Sequence, residues 1–438
     1  MEQLKAGIGR IDVTPDMGVR LGGYGIKDRP AEKVLDPLHA TALVLEQAEI
    51  KVAIINLDWI CIDEEDTATI RTLVNEITGI EKEHISVCTT HSHSTPNTLS
   101  AWGWGDKESD YIKQAIPKIA KSVKIAAKNL QPVKVGIATT ECKAGVNRRG
   151  TNEQHTTGGF IADTIGSYDP TMTVIRFEAD EKPVGAIVHY GAHGTAMGCT
   201  RDVSRDWMGV MKDRVESQTK APVVFINGAI GDVGPRTNVL RPYGFCAGGG
   251  DGYTSVTEVG LRAASDALWA HFSIKEWHEN LKLNVIVEDI ILPYAELSSL
   301  KESQEVLSNM DALGPDEWGG KLCEYKYWNA VVDAYQQKIL TGRKFKQTII
   351  QLGPIAFVPF PGELFSGISL RLRAYSPFQY TLCSSVSNGS LGYLPTREAR
   401  HRGGYETWVG RAYGAYLLAD DIDDHLVEQN LNLLRSMV

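Results

Sequence analysis

The chain has 438 residues, 43% of them hydrophobic and 23% charged, with a formal net charge of −9. These are ordinary globular values and exclude a disordered or fibrous protein. The mild acidity, with no Lys/Arg block, excludes nucleic acid as the main partner, because phosphate binding needs a clustered basic surface. From the N-terminus, Met1 to Arg10 has no basic flank leading into an apolar core, so no secretory leader is read and a cytoplasmic location is expected. Val52 to Asp58 is a mostly apolar run of strand length, and the segment from Glu64 to Ile77 places Ile70, Leu73, Val74 and Ile77 on one helical face. Ile85 to Thr89 reads as a further strand and Tyr111 to Leu130 as a long helix with lysines on its polar side. This β-α-β-α rhythm predicts an α/β fold with mostly parallel or mixed β-sheets flanked by helices.

Gly185 to Tyr190 and Pro222 to Ile226 look like buried strands that each run into a Gly-rich turn, and Gly248-Gly249-Gly250 with Asp251-Gly252 reads as a mobile loop. Leu283 to Leu292 is a Val/Ile-rich strand stopped by Pro293, and the segment of about 296–345 is a candidate helical insertion. Residues 346–359 read as a hairpin around Gly353-Pro354, and Leu364 to Leu372 as a helix. No repeat or clear linker divides the chain, so one large domain over 1–438 is expected. No apolar stretch approaches the roughly 18 residues of a spanning helix, so stable membrane insertion is not expected. The cysteines (Cys61, Cys88, Cys142, Cys199, Cys246, Cys323 and Cys383) form no CxxC pair. They point to reduced thiols and leave any metal to His, carboxylate or phenolate ligands.

Parallel strands present their working residues at their carboxyl ends, and polar clusters stand at those points. His91 and His93, in Thr90-His91-Ser92-His93-Ser94, follow the strand ending near Thr89. At i and i+2 they point to one side of an extended chain, so one suits a metal and the other a hydrogen bond to water or substrate. Ordinary loop histidines are the alternative. In His189-Tyr190-Gly191-Ala192-His193-Gly194-Thr195, His193 lies between small residues and is the better candidate ligand. His189 has the apolar context of a hydrogen-bonded core histidine. The Gly-rich turn Asn227 to Pro235 lacks the Lys-Ser/Thr of a phosphate loop, and its Asp232 reads either as a cap of backbone amides or as a substrate contact. Glu363, in Pro361-Gly362-Glu363, suits either the first turn of a helix or a metal. Taken alone, Tyr393 and Tyr405 read as packing tyrosines.

In this order the clusters resemble the neutral (non-lysosomal) ceramidase family, from Gly7-Ile8-Gly9-Arg10-Ile11-Asp12-Val13-Thr14 to about residue 416. The family's THTHSGP segment, with its first zinc ligand, is matched by Thr90-His91-Ser92-His93-Ser94-Thr95-Pro96, and its HGTSM segment by His193-Gly194-Thr195-Ala196-Met197. Its PGE glutamate is matched by Glu363, and its zinc-binding tyrosine, which follows an Asn, by Tyr393 after Asn388. The resemblance therefore implies a Zn2+ site of His91, His193, Glu363 and Tyr393, a set of N and O donors that suits zinc. The family's NRSP segment appears as Asn147-Arg148-Arg149-Gly150, which makes Arg148 the active-site arginine, and its YE pair as Tyr405-Glu406. The implied reaction is hydrolysis of an amide bond in a small-molecule substrate, with zinc lowering the pKa of water and polarising the carbonyl. Arg148, Tyr405 and His93 would donate to the developing oxyanion, and His93 would carry a proton to the leaving group.

Two departures redirect the expected substrate. The family's GDVSPN loop is Gly231-Asp232-Val233-Gly234-Pro235-Arg236 here, so Gly234 supplies no hydroxyl and a serine nucleophile is not available at that position. Asp232, Gly234 and Arg236 are the candidate substrate-binding residues, and Arg236 points away from ceramide to a smaller, polar or anionic substrate. The family's C-terminal immunoglobulin-like domain also has no counterpart. An ester, lactone or carbohydrate linkage on the same scaffold is the alternative reaction, and a non-catalytic ligand-binding protein the alternative role.

Overall fold

Three β-sheets with side chains buried on both faces form the centre of the protein, and helices cover the outer faces. The computed structural model describes residues 2–26, 28–100, 104–150, 162–163, 166–237, 252–313, 322–410 and 417–438. The first sheet holds β1 (Lys5–Asp12), β2 (His39–Gln47), β3 (Ile50–Leu57), β4 (Ile85–Thr89) and β5 (Gln131–Pro132), in the order β4-β3-β2-β1-β5. Side chains alternate across it. Ala53, Ile55 and Leu57 of β3 pack with Ile70 and Val74 of α1 (Glu64–Thr78) and Ile112, Ile119 and Val123 of α2 (Ser109–Lys128). Val52 and Ile54 face the other way, into a core shared with the remaining sheets. Burial on both faces is why this strand reads as a nearly continuous apolar run. Helix α1 starts where Asp63 accepts the amide of Asp66 and stops at Gly79, which is left-handed with φ 74°.

The second sheet holds β6 (Lys134–Glu141), β7 (Thr171–Ala179), β8 (Lys182–Tyr190), β9 (Val223–Asn227) and β10 (Trp277–His278), in the order β9-β8-β7-β6-β10. Its outer face carries α3 (Asp206–Thr219) and α4 (Gly252–Ser273), with Trp207, Met211, Val259 and Ala263 packed on Val174, Val188 and Phe225. The third sheet runs in chain order through β11 (Leu283–Pro293), β12 (Gly342–Leu352), β13 (Ile355–Pro359) and β14 (Tyr380–Ser384). Between β11 and β12 come α5 (Leu300–Leu313) and α6 (Leu322–Gln337), and the end of the 296–345 segment, from Gly342, is already strand β12. Helices α7 (Ser366–Tyr375) and α8 (Ile422–Ser436) cover the outer face through Ile368, Leu372, Leu426 and Leu431. Between the sheets, Val52 and Ile54 meet Ile175, Phe177 and Ile187 of the second and Ile350, Leu352 and Phe357 of the third.

The expectation of mostly parallel or mixed sheets is met in its mixed form. Short turns make β2–β3, β7–β8 and β12–β13 antiparallel, the last through Gly353 at φ 54°. Each sheet also contains one parallel pair, β3 with β4, β8 with β9 and β13 with β14. A helix crosses over within each pair, α1, α3 and α7 respectively, because a parallel return needs a long connection. The carboxyl ends of these three units converge. Ser385 N donates to Asn227 O at 2.9 Å, Asn227 Nδ2 to Thr90 O at 2.8 Å, and Asn388 N to Val87 O at 2.8 Å. Of the segment read as a mobile loop, residues 248–251 lie outside the described residues, whereas Gly252 begins α4. Among the described residues no helix is long and apolar enough to cross a membrane.

Besides the pair of Arg10 with Glu216, a fully buried ion pair ties the first sheet to the helix of the second. Lys212 of α3 reaches Asp58, just past β3, at 2.7 Å, with both side chains essentially unexposed (1% and 0%). Burial pushes both groups towards neutrality, yet Lys212 and Arg205 hold the Asp58 carboxyl below its ordinary value. Lys212→Met would take from the buried Asp58 carboxylate its ion-pair partner and leave only the more distant Arg205 charge, at a cost of about 3–5 kcal/mol. A urea unfolding midpoint unchanged from wild type would show that the pair does not hold these layers together, whereas an added Asp58→Asn change is expected to restore part of the loss.

Candidate active site

The loops that leave the three parallel pairs supply nearly all the polar groups at their meeting point. After β4 the chain turns sharply: His91 adopts φ 61°, the left-handed region that side chains rarely enter, while its amide donates to Trp59 O at 3.0 Å. Such strain persists only where the surroundings over-determine it. Ser92 then forms a parallel bridge with Gly194, and His93 N donates to Gly194 O at 2.8 Å, which ties the loop after β4 to the loop after β8. Glu363 and Tyr393 sit opposite each other in a short parallel pairing of Glu363–Leu364 with Tyr393–Leu394.

His91, His93 and His193 are all buried, and one nitrogen of each lies within 4.8 Å of the others. His91 Nδ1 lies 2.7 Å from Ile60 O, and His193 Nδ1 lies 2.7 Å from Ile230 O. A carbonyl only accepts, so both Nδ1 atoms carry protons and both Nε2 atoms turn their lone pairs inward. There they meet Glu363 Oε2, at 3.5 Å from His91 Nε2 and 2.9 Å from His193 Nε2. His193 Nε2 and Glu363 Oε2 are buried and have no hydrogen bond of good geometry among the described residues. Acceptor atoms this close need a proton or a metal cation between them. Burial would neutralise His91, but the Glu363 carboxylate holds its proton on, up to about 10. Burial, with Arg148 adding to it, drives His193 down to about 4. Against its own burial, Glu363 is held well below the usual carboxylate range by His91 and His193. The enclosure thus gathers one positive charge from a proton, a place that a divalent cation fits better. The donor set of imidazole nitrogens, carboxylate and phenol is one that zinc accepts.

Tyr393 stacks on His193, with ring centroids 6.4 Å apart and planes 20° apart, and its hydroxyl accepts from Arg148 Nη2 at 3.0 Å. Arg148 follows the short strand Gly145–Asn147, and its Nη2 also donates to Gly231 O at 3.0 Å. Glu406, with no exposed surface, pairs with Arg148 Nε at 3.1 Å and with Arg149 Nη1. Tyr405 stands 6.2 Å from Tyr393, ring to ring, and burial raises its phenol above the ordinary value. His93 Nε2 is 3.3 Å from His91 Nε2, and burial followed by the nearby His91 and His193 keeps His93 well below its ordinary value. The structure therefore brings His91, His93, Arg148, His193, Glu363, Tyr393 and Tyr405 into one enclosure.

The turn residues stand beside it. Asp232 Oδ1 accepts from both Ser366 N and Ser366 Oγ at 2.8 Å, which is the amide-capping alternative, here serving α7. Burial lifts its carboxyl to about 6 against those hydrogen bonds. Gly234 is buried and pairs with Val146, and Arg236 is half-buried with its amide on Ala144 O at 2.8 Å. His189 is the core histidine expected, with Nε2 at 2.7 Å from Cys383 O.

Three contributors were missed from sequence. Glu406 was seen only as the companion of Tyr405, and a lone Glu gives no sign of the two guanidiniums it joins. Gly23 has φ 90°, and a Cβ there would sit 2.4 Å from His93 Nδ1, so only glycine leaves room for that ring. Arg29 Nη2 donates to Gly22 O at 2.5 Å and to His93 O, which fixes the same loop from behind. The glycine cluster Gly22-Gly23-Tyr24-Gly25 was the available signal.

Fold and site define a mixed α/β protein whose strand ends pool imidazoles, a carboxylate, phenols and a guanidinium around a cation-sized space. The chain matches the family described as "Neutral/alkaline non-lysosomal ceramidase, N-terminal" over residues 4–243. It belongs to that family, whose reaction is that of a hydrolase acting on an amide bond. The crystal structure of neutral ceramidase from Pseudomonas aeruginosa superposes with a TM-score of 0.75 at 18% identity, covering 100% of this chain and 75% of that one. A structure described as ceramidase complexed with C2 gives 0.74 at 18% identity, covering 100% and 76%. A comparison with curated proteins gives no match.

The carboxylate shared by two buried arginines makes a direct test of how this enclosure is held. Glu406→Gln removes the counter-charge of both guanidiniums and is expected to cost about 3–5 kcal/mol of stability. Chemical denaturation of the purified variant reads this, and a midpoint equal to that of wild type would mean Arg148 is held by its carbonyl and phenol contacts alone.

Proposed function

We propose that this protein is a zinc-dependent hydrolase of an N-acyl or other small amide, with His91, His193, Glu363 and Tyr393 as the metal ligands. The observation that carries the reading is the inward-facing trio of His91 Nε2, His193 Nε2 and Glu363 Oε2, whose imidazoles are oriented by backbone carbonyls on the far side of each ring. Backbone partners of this kind commonly fix a metal-binding tautomer. Zinc in such a site lowers the pKa of water and polarises a carbonyl.

The protein groups then divide the remaining work. Arg148, held by Glu406 and Gly231 O, presents a fixed positive charge beside Tyr393, where an oxyanion forming on the substrate carbonyl is stabilised. Tyr405 keeps its proton because burial raises its phenol, which makes it a hydrogen-bond donor to the same oxygen. His93, kept neutral by burial, accepts a proton at Nε2 and delivers it to the leaving nitrogen. Gly234 offers no side-chain nucleophile, so the attacking oxygen comes from water. The same glycine, with Arg236 near the turn, favours an amide smaller and more polar than ceramide.

Metal analysis of the purified protein is expected to find about one zinc per chain, as a single catalytic site requires. His91→Ala and Glu363→Ala should each lose it. His93→Gln should keep the zinc and lose turnover; loss of zinc in that variant would make His93 a ligand and remove it from proton transfer.

The bond cleaved is read from a panel of N-acyl amides, including ceramide, beside matched esters, lactones and glycosides at equal zinc loading. Amide cleavage that needs zinc is expected. Turnover confined to another class would sink the amide assignment. Gly234→Ser is expected to add little ceramide cleavage, and a large gain would show that the missing hydroxyl alone had excluded ceramide.

A further inference from the structure

A cleft of about 570 Å³ lies on the other side of the loops that carry Glu363 and Tyr393. One wall is a face of α1, with Glu64, Thr67, Arg71 and Thr72 one or two turns apart, and the opposite wall is Lys344 and Lys346 of β12. Its floor is Pro361, two residues before Glu363, and Asn388, five before Tyr393. The two floor segments are laced together, with Leu391 N donating to Pro361 O at 2.7 Å and Val386 N to Gly362 O at 2.9 Å. None of the residues named for the amide reaction lines the cleft.

Charge in the cleft is unbalanced in a specific way. Glu64 is taken by Arg343, whose Nη2 reaches both carboxylate oxygens at 2.8 and 2.9 Å. Asp289 is taken by Lys344 at 2.5 Å and Lys346 at 3.5 Å. With Arg71 and Lys82, four cations line the cleft against three carboxylates, the third being Glu83, and Glu64 is already paired by Arg343 from outside the lining. Arg71 and Lys82 are the lining cations outside these pairings, and Arg71 is the less exposed of the two. Its Nε donates to Ile85 O at 2.8 Å, which fixes the plane of the guanidinium, and its Nη2 is buried without a hydrogen-bond partner among the described residues. Burial pulls this guanidinium down to about 10, with Glu83 only partly offsetting it. An oriented guanidinium with a free buried N–H is suited to an oxyanion, which it meets with charge-assisted hydrogen bonds. Neutral donors complete the lining. Asn388 Oδ1 accepts Val87 N at 2.8 Å, which turns the amide NH2 away from that strand, and Thr72 also lines the cleft.

We propose that this cleft is a binding site for a small oxyanion, a free phosphate or carboxylate group, held by Arg71 and Lys82 and seated against the loops that position Glu363 and Tyr393. The assignment is independent of which amide the active site cleaves.

The test uses the full chain as purified, with inorganic phosphate and acetate titrated separately against sodium chloride at matched ionic strength. Isothermal calorimetry and thermal unfolding give the readouts. Saturable binding of at least one of the two anions, with a rise in Tm that chloride does not reproduce, is expected, and the stronger binder identifies the oxyanion class. Arg71→Met should abolish that binding, and Lys82→Glu, a change at an exposed position, should weaken it by about tenfold. Binding that persists in Arg71→Met would place the anion elsewhere, the metal centre included, and overturn the assignment. So would the absence of saturable binding in wild type. If Arg71→Met fails to fold, unaltered affinity in Lys82→Glu overturns it in the same way.

Discussion

A carboxylate almost shut off from water stands against two imidazole lone pairs at the point where three sheets meet. Left without positive charge, that grouping would be among the most expensive arrangements in the protein, since buried charges persist only when paired or bound to metal. The distances of 2.9 and 3.5 Å from Glu363 to His193 and His91 are therefore a constraint on everything around them. Each imidazole must be prevented from rotating, and each loop from drifting. Ile60 O and Ile230 O do the first by holding the Nδ1 protons. The bridge of Ser92 with Gly194 and the pairing of Glu363 with Tyr393 do the second.

Topology explains why those loops meet at all. Each sheet is mostly antiparallel but keeps one parallel pair with a helical crossover, and the three crossovers leave six strand ends on a common side. Antiparallel hairpins return the chain within a few residues and offer little room for a functional loop. The loops that leave the second strands of the parallel pairs are clamped by their neighbours, and strained residues such as His91, Val386 and Asn388, all at positive φ, are tolerated there. Buried contacts between layers, including Lys212 with Asp58, keep those ends in register.

Much of this was legible from sequence because the strongest signals were local. The strand over 52–58, the helix from Glu64, the strand Ile85–Thr89 and the hairpin at Gly353-Pro354 all follow from periodicity and turn chemistry, and the structure shifts their ends by only a few residues. Hydrophobic alternation says how a strand is buried but not which neighbour it pairs with, so β1, β7 and the antiparallel majority were not readable as such. The site divides in the same manner. His91, His193 and Glu363 stand beside glycines or after strands, where local sequence marks them, whereas Tyr393 and Arg148 gained their roles only through the family resemblance. Glu406 and Arg71 carry no local mark. Each matters because of a partner more than 200 residues away or a cleft built from several elements.

Gly234 shows how such a site can change what it contacts without losing its geometry. The residue lies in the ladder Val233–Pro235 against Gly145–Asn147, in which Val233 faces Asn147 and Gly234 faces Val146. Those pairings use backbone atoms alone, so they are the same whether position 234 carries a hydroxyl or only hydrogen. The ladder delivers Arg148, whose amide donates to Asp232 O at 2.9 Å, and the Arg148 guanidinium is then held by Glu406 and Gly231 O. None of these contacts passes through the Gly234 side. A side chain there leaves this backbone ladder, and with it the arginine, the phenol beside it and the imidazole–carboxylate cluster, in place. Under the function proposed above, the chemistry of the imidazole–carboxylate cluster and the choice of substrate would thus be separable in this fold, the first fixed by buried charge and the second by the short turn after β9.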